Sequence, residues 1–253
     1  MRNKGALLMV GLTLLFSPVT TMAEGNDTHI LFDQGHNQRF LIEEKGDLQL
    51  SGFATVVRSK GALVTSTTKL LGDDALKNVT ALVISGPFAS FHPEEVSAVV
   101  RFVERGGRFV VMLHIGPPLA GLLAMLDVHH SNGVLHERKN VIDSDVNFRV
   151  AGLSGSPLFS GVPQFSVYGS WALDPGKAVT ALAQTSTESW VDLNGDKILS
   201  GGDAVGSFAV VVSGTLGSGS FIVFGDDAIF QNRHLDDNNS RLAVNLADWL
   251  TGR

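Results

Sequence analysis

Cysteine is absent from all 253 residues, and tyrosine occurs once. Without a thiol the chain can form no disulfide, thiolate nucleophile, iron–sulfur cluster or Cys-based zinc site. Charge is sparse, at 17% of residues, and tilts acidic: 19 Lys and Arg against 25 Asp and Glu leave a net −6. A chain of this sign has no general attraction for phosphate backbones or anionic membranes, so nucleic acid is not an expected partner. Beyond the first two dozen residues no apolar run reaches the roughly 18 residues of a membrane-spanning helix. Apolar residues, at 44%, and 28 glycines are plentiful. That supply suits a packed core and excludes disorder, collagen and coiled coil.

Residues 1–23 have the layout of a signal peptide. Arg2 and Lys4 precede an apolar run from Ala6 to Phe16, and Thr21, Met22 and Ala23 form a small-x-small cleavage site. The expected mature protein, 24–253, is periplasmic or secreted, holds no stable membrane segment after cleavage, and forms one domain.

Along that part, His29 to Asp33, Val79 to Ile84 and Phe109 to Leu113 are short apolar runs stopped by polar or Gly/Pro clusters, the pattern of buried strands. Ala62 to Thr67 is a further strand candidate, and the spacing of Leu50, Phe53, Val56 and Val57 is helical. Pro93, followed by Glu94 and Glu95, opens a helix with a Val96, Val99, Val100, Val103 stripe, and Gly106 and Gly107 stop it. Leu119 to Leu126 predicts another helix, with His129 and His130 in a solvated turn near its end. Residues 134–206 are irregular and β-rich, with a strand expected at Ala181 to Thr185 and Trp171, Trp190 and Tyr168 expected to pack. Phe208 to Val212 and Phe221 to Phe224 predict paired strands, and Asn238 to Leu250 a closing helix capped by Asn238 or Asn239. Doubly apolar strands alternating with amphipathic helices predict an α/β fold, flavodoxin-like, with a mostly parallel sheet covered on both faces.

In such a sheet ligands bind beyond the carboxyl ends of the strands. Four strand ends are polar or glycine-rich here, and their convergence gives a candidate binding set: Asp33, His36, Asn37, Arg39, Ser85, Gly86, His114, Gly116, Asp226 and Asp227. Gln231 to Asp237 is either a lid over this crevice or a polar loop. Catalysis there would use His36 or His114 as general base, oriented by Asp33 or Asp226.

The order Asp33 to Arg39, Ser85-Gly86-Pro87-Phe88, Gly106-Gly107 before a strand and Gly225 to Phe230 before a closing helix resembles the class I glutamine amidotransferase-like superfamily. It resembles in particular an exported branch of it, a domain of unknown function. The resemblance implies a flavodoxin-like sheet. Glutaminases of that superfamily place a Cys nucleophile after a central strand. The corresponding turn here is Leu113 to Gly116, and with no Cys the amidotransferase reaction is excluded.

Asp192 to Asp203 carries oxygen ligands at positions 1, 3, 5 and 12 of a twelve-residue loop. Asp192, Asn194, Asp196 and Asp203 would supply side-chain oxygen and Ile198 its carbonyl, a spacing suited to a structural calcium ion. The loop resembles those of EF-hands and dockerin modules. It departs in having Lys197 at position 6 and Asp at position 12, and in flanks that predict strands.

Together these observations predict an exported, non-catalytic α/β domain that binds a small polar ligand or an envelope protein, with a calcium-held loop. The alternative is a hydrolase or lyase using a His/Asp pair at the crevice.

Overall fold

The computed structural model describes Met1 and residues 28–253, so the expected leader lies, apart from its first residue, outside the described residues. Fifteen strands and four α-helices follow in chain order: β1 (His29–Asp33), α1 (Ser51–Ser59), β2 (Leu63–Thr67), β3 (Ala81–Ser85), α2 (Pro93–Glu104), β4 (Arg108–Met112), α3 (Ala120–Met125), β5 (Val128–His136), β6 (Val141–Ser144), β7 (Asn147–Val150), β8 (Gly152–Leu153), β9 (Phe165–Tyr168), β10 (Trp171–Pro175), β11 (Thr180–Gln184), β12 (Ser189–Val191), β13 (Ala204–Gly206), β14 (Ala209–Leu216), β15 (Gly219–Phe224) and α4 (Asp237–Thr251).

Twelve strands form one sheet, ordered β13-β12-β5-β10-β14-β15-β4-β3-β1-β2, with β11 and β8 branching from β14; β6, β7 and β9 form a second. Only β2-β1-β3-β4-β15 is parallel, and every other pairing is antiparallel. The flavodoxin-like expectation is therefore corrected: this is a mixed sheet, mostly antiparallel, with four α-helices among the described residues. The physical reason is that an apolar run looks the same whichever way its neighbour points. Connection length decides direction, and the tight turn at Gly217 (φ 59°) forces β14 and β15 antiparallel. The irregular middle supplies β5 to β13, whose polar, short and bulged strands carry little periodic signal. His129 and His130 lie within β5 rather than in a turn.

In the parallel strands successive side chains point to opposite faces. Ile30, Phe32, Val83, Val110, Met112, Ile222 and Phe224 pack with α1 and α4, through Phe53, Val57, Leu242 and Leu246. Leu31, Leu82, Ile84, Phe109, Val111 and Phe221 pack with α2 and α3, through Val99, Phe102 and Leu122. Both faces are buried, so all loops at the carboxyl edge of β1, β3, β4 and β15 are held on one rigid frame. Helix α2 opens with Pro93 and a reciprocal cap between His92 and Glu95. Helix α4 is capped by Asp236, whose side chain accepts from the N–H groups of Asn238 and Asn239, not by either of those residues. Among the described residues no helix is long and apolar enough to cross a membrane.

Candidate functional site

The ends of β1, β3, β4 and β15 do meet at one rim, but the predicted residues divide there into three groups with different freedom. The first is closed. His36 is 4% exposed; its Nδ1 lies 2.8 Å from Asp33 Oδ2 and its Nε2 3.2 Å from Glu95, and Phe91 stacks on the ring at 3.7 Å. Gln38 and the Gly35 N–H also donate to Asp33. Burial works against a charged imidazole, but the hydrogen bonds and charges of Asp33 and Glu95 outweigh it and hold His36 above its ordinary value. Burial raises Glu95 in turn, yet the N–H groups of Leu71 and His92, with His36, bring it below the usual range. Both His36 nitrogens are thus committed to carboxylates, and the ring has no open face in this arrangement. Asn37, exposed beside it, takes the left-handed turn that lets the loop reverse (φ 58°).

The second group is open. His114 Nδ1 sits 3.0 Å from Asp227 Oδ1; the imidazole is 37% exposed and the carboxylate 1%. No partner occupies His114 Nε2 among the described residues, and it is not among the enclosed, unpaired polar atoms, so it faces solvent. The hydrogen bond to Asp227 raises His114 above its ordinary value, against the effect of burial and of the Arg39 charge. Around it stand Phe88, at 4.9 Å between ring centroids, and Phe40, at 5.3 Å. The Arg39 guanidinium lies 4.8 Å above the Phe88 ring. Trp171 Nε1 donates to the His114 carbonyl and fixes the turn from beneath. Gly86 (φ 55°) is required because a Cβ there would collide with Asp227 Oδ2. Gly116 belongs to a different contact, lying against the His130 ring.

The third group is buried scaffold. Asp226, 2% exposed, accepts from the Tyr168 N–H at 2.6 Å and the Ala228 N–H at 2.8 Å, tying β9 to the rim. Burial, with the neighbouring Asp227 charge, pushes its carboxyl up to about 7. The Ser85 hydroxyl and Asp227 Oδ2 are enclosed without a hydrogen-bond partner. Gln231 to Asp237 is not a lid: it forms a short 3-10 turn at Asn232–His234 with Gln231 and His234 buried.

Sequence reasoning missed Phe40, Phe88, Gln38 and Glu95. The cap at His92, which lacks the usual Ser, Thr, Asp or Asn, hid the signal for Glu95, and no periodicity marks an aromatic pair contributed by two loops. It also missed a second pair, buried His136 with half-exposed Asp145, on the other half of the sheet.

In the loop of residues 192–203 the carboxylates face the loop's own backbone. Asp192 accepts from Gly195 N–H and Lys197 N–H, Asp196 from Ile198 N–H, Asp203 from Leu193 and Ser200 N–H, and Asn194 from Asp196 N–H. Ile198 is exposed. These bonds account for the loop's shape, β12 and β13 flank it rather than helices, and the described residues hold no group of three or more acidic or His side chains placed to bind a metal ion.

A profile of the DUF4350 family, a domain of unknown function, matches residues 43–247. The chain belongs to that family. Among curated proteins none matches the sequence. Among solved structures, the mmIFT52 N-terminal domain is similar with a TM-score of 0.71 at 16% identity, over 89% of this chain and 98% of that one. A cytoplasmic protein from Salmonella typhimurium LT2 gives 0.56 at 13%, over 88% and 100%. A ThuA-like protein from Bacteroides uniformis ATCC 8492 gives 0.52 at 15%, over 92% and 95%. At such identities the likeness shows the fold alone. These findings replace both resemblances drawn from the sequence, to glutamine amidotransferases and to EF-hand or dockerin calcium loops. The motifs behind the first are strand-end turns, which this sheet needs for geometric reasons of its own. Those behind the second are Asp and Asn residues closing a β-loop on its own N–H groups.

Proposed function

We propose that this DUF4350 domain is an exported, non-catalytic recognition module, and that its strand-end rim takes a small polar anion on Arg39 and His114. The observation that carries this reading is the pairing of His114 with buried Asp227. It keeps the imidazole protonated to higher pH and leaves Nε2 turned outward, beside a guanidinium spread over Phe88. Two cationic donors on a two-ring apolar platform suit a carboxylate or phosphate on a compact body. The leader-like first 23 residues support export. The hydrolase or lyase alternative has weaker support, since His36 is spent on two carboxylates and, among the described residues, no hydroxyl is hydrogen-bonded to His114 as a nucleophile would be.

Calorimetric titration with inorganic phosphate and with succinate tests the reading at pH 6 and pH 8.5. Binding at pH 6 that weakens at pH 8.5, and about tenfold in Arg39→Ala or His114→Gln, is the expected result. Absence of binding by either anion, or binding that both variants retain in full, sinks it. Capture of a polypeptide through the same two residues would shift the ligand to an envelope protein.

A further inference from the structure

A groove of about 630 Å³ opens on the antiparallel half of the sheet, between β5, the turn after β6 and the loop that follows β12. Its buried wall is His136, 8% exposed, with the ring stacked on Trp190 at 4.0 Å and 19°. Asp145 Oδ2 lies 2.8 Å from His136 Nδ1, so in the neutral ring Nδ1 carries the proton and Nε2 the lone pair. No protein group among the described residues meets Nε2, and it is not among the enclosed unpaired atoms, so this acceptor opens into the groove the residue lines.

The other lining groups have the same polarity. Asn132 spends its amide N–H on the Leu193 carbonyl and keeps its oxygen free. Asp145 keeps Oδ1 free, and Asp192 brings a second carboxylate whose charge is shared with only two loop N–H groups. Asn194 donates its amide to Asp196 and Ser200 and offers no donor. Two side-chain donors remain, the second Asn132 amide N–H and the Lys197 ammonium, which forms no ion pair among the described residues. A pocket of acceptors with two carboxylates selects a ligand rich in donors and positive charge.

We propose that this groove binds a primary ammonium or guanidinium group, held by His136 Nε2, Asn132 and Asp192, while Asp145 on Nδ1 fixes the tautomer that leaves Nε2 an acceptor. Lys197 stands at the mouth and opposes entry of the cation. The site is separate from the strand-end rim and does not depend on its reading.

Calorimetry with putrescine and with the peptide Ala-Lys-Ala, at 20 mM and 300 mM salt, tests this on the full-length chain. Saturable binding of either, weakened by salt, is expected. Putrescine alone would point to free amines, the peptide alone to lysine side chains of a polypeptide, and each supports the shared chemistry. Asp145→Asn should weaken binding about tenfold. His136→Phe, which keeps the stack on Trp190, should weaken it similarly, and Lys197→Ala should tighten it about twofold. Asp145 is half-exposed and Lys197 exposed, so these two variants keep the fold and carry the test should His136→Phe not. No heat from either amine overturns the proposal, as does weaker binding in Lys197→Ala. Heat from calcium chloride with none from the amines overturns it in favour of a divalent-cation site.

Discussion

His36 Nδ1 lies 2.8 Å from Asp33 Oδ2 while its other nitrogen lies 3.2 Å from Glu95, so one buried imidazole joins the end of β1 to the first turn of α2. The His36 carbonyl also accepts from the N–H groups of Phe88 and Ala89. The whole Ser85 to Phe91 turn, with the Phe88 platform, is therefore hung on this residue.

Replacing His36 by Ala leaves two buried carboxylates facing one another and should cost about 3–5 kcal/mol, the range for stranding a buried ionic partner. Because the folded-state pKa of His36 is raised, its contribution is complete below about 6.5 and is lost as pH rises through the folded value. Urea midpoints from pH 5 to 9 should thus fall more steeply on the alkaline side in wild type than in His36→Gln. Parallel profiles would contradict a charged His36.

Gly86 and Asp227 form the next dependency. Gly86→Ala places a Cβ against Asp227 Oδ2 at a backbone φ of 55°, costing about 1–2 kcal/mol in strain and driving the carboxylate off His114. Imidazole NMR titration is the decisive measurement. The His114 pKa should drop toward its ordinary value in the variant, and an unchanged titration would mean that Asp227 does not hold the ring.

How much of this was legible in the sequence follows from which forces leave a linear trace. Strands such as β3 and β4, apolar at four of five positions because both faces are covered, were visible as runs. The stripe of α2 and its Pro93 start were visible as period and cap. Sheet direction was not, since Phe208 to Val212 would be equally apolar beside a parallel or an antiparallel neighbour. The convergence of Asp33, His114 and Asp227 at one edge was inferable from strand ends alone. Which His was free was not: Glu95, 59 residues from His36 in the chain, closes one imidazole, and nothing local distinguishes it from the exposed Glu94. Residues 192–203 show the converse ambiguity, where a ligand-like spacing also satisfies a turn's own N–H groups.

His234 should shape the acid limb of stability. Its ring stacks on Tyr168 at 3.5 Å, and Arg233 Nε donates to its Nε2 at 2.9 Å. Burial, then the Arg233 charge, depresses it to about 4. The unfolded chain therefore binds a proton near pH 6.5 that the folded chain refuses until about 4. Stability from this group is complete above about 6.5 and is lost as pH falls toward 4. His234→Phe keeps the stack and removes the titration, so its denaturation midpoint should vary less between pH 4 and 6.5 than that of wild type. Equal slopes would refute the assignment.

Asn239 anchors the closing helix to two neighbouring elements. It is fully buried, accepts from the Ser166 N–H at 2.9 Å, and donates to the carbonyls of Ser166 and Ile229 at 3.1 and 3.2 Å. One side chain thereby joins α4 to β9 and to the 3-10 turn at Ala228–Phe230 that follows Asp227. Asn239→Leu fills the volume but strands an N–H and two carbonyls, and it should cost at least about 2 kcal/mol. Since Asp226 binds the Tyr168 N–H at the far end of β9, hydrogen exchange should quicken at Ser166 and Tyr168 together in this variant. Faster exchange at Ser166 alone would mean that β9 is held at its two ends independently.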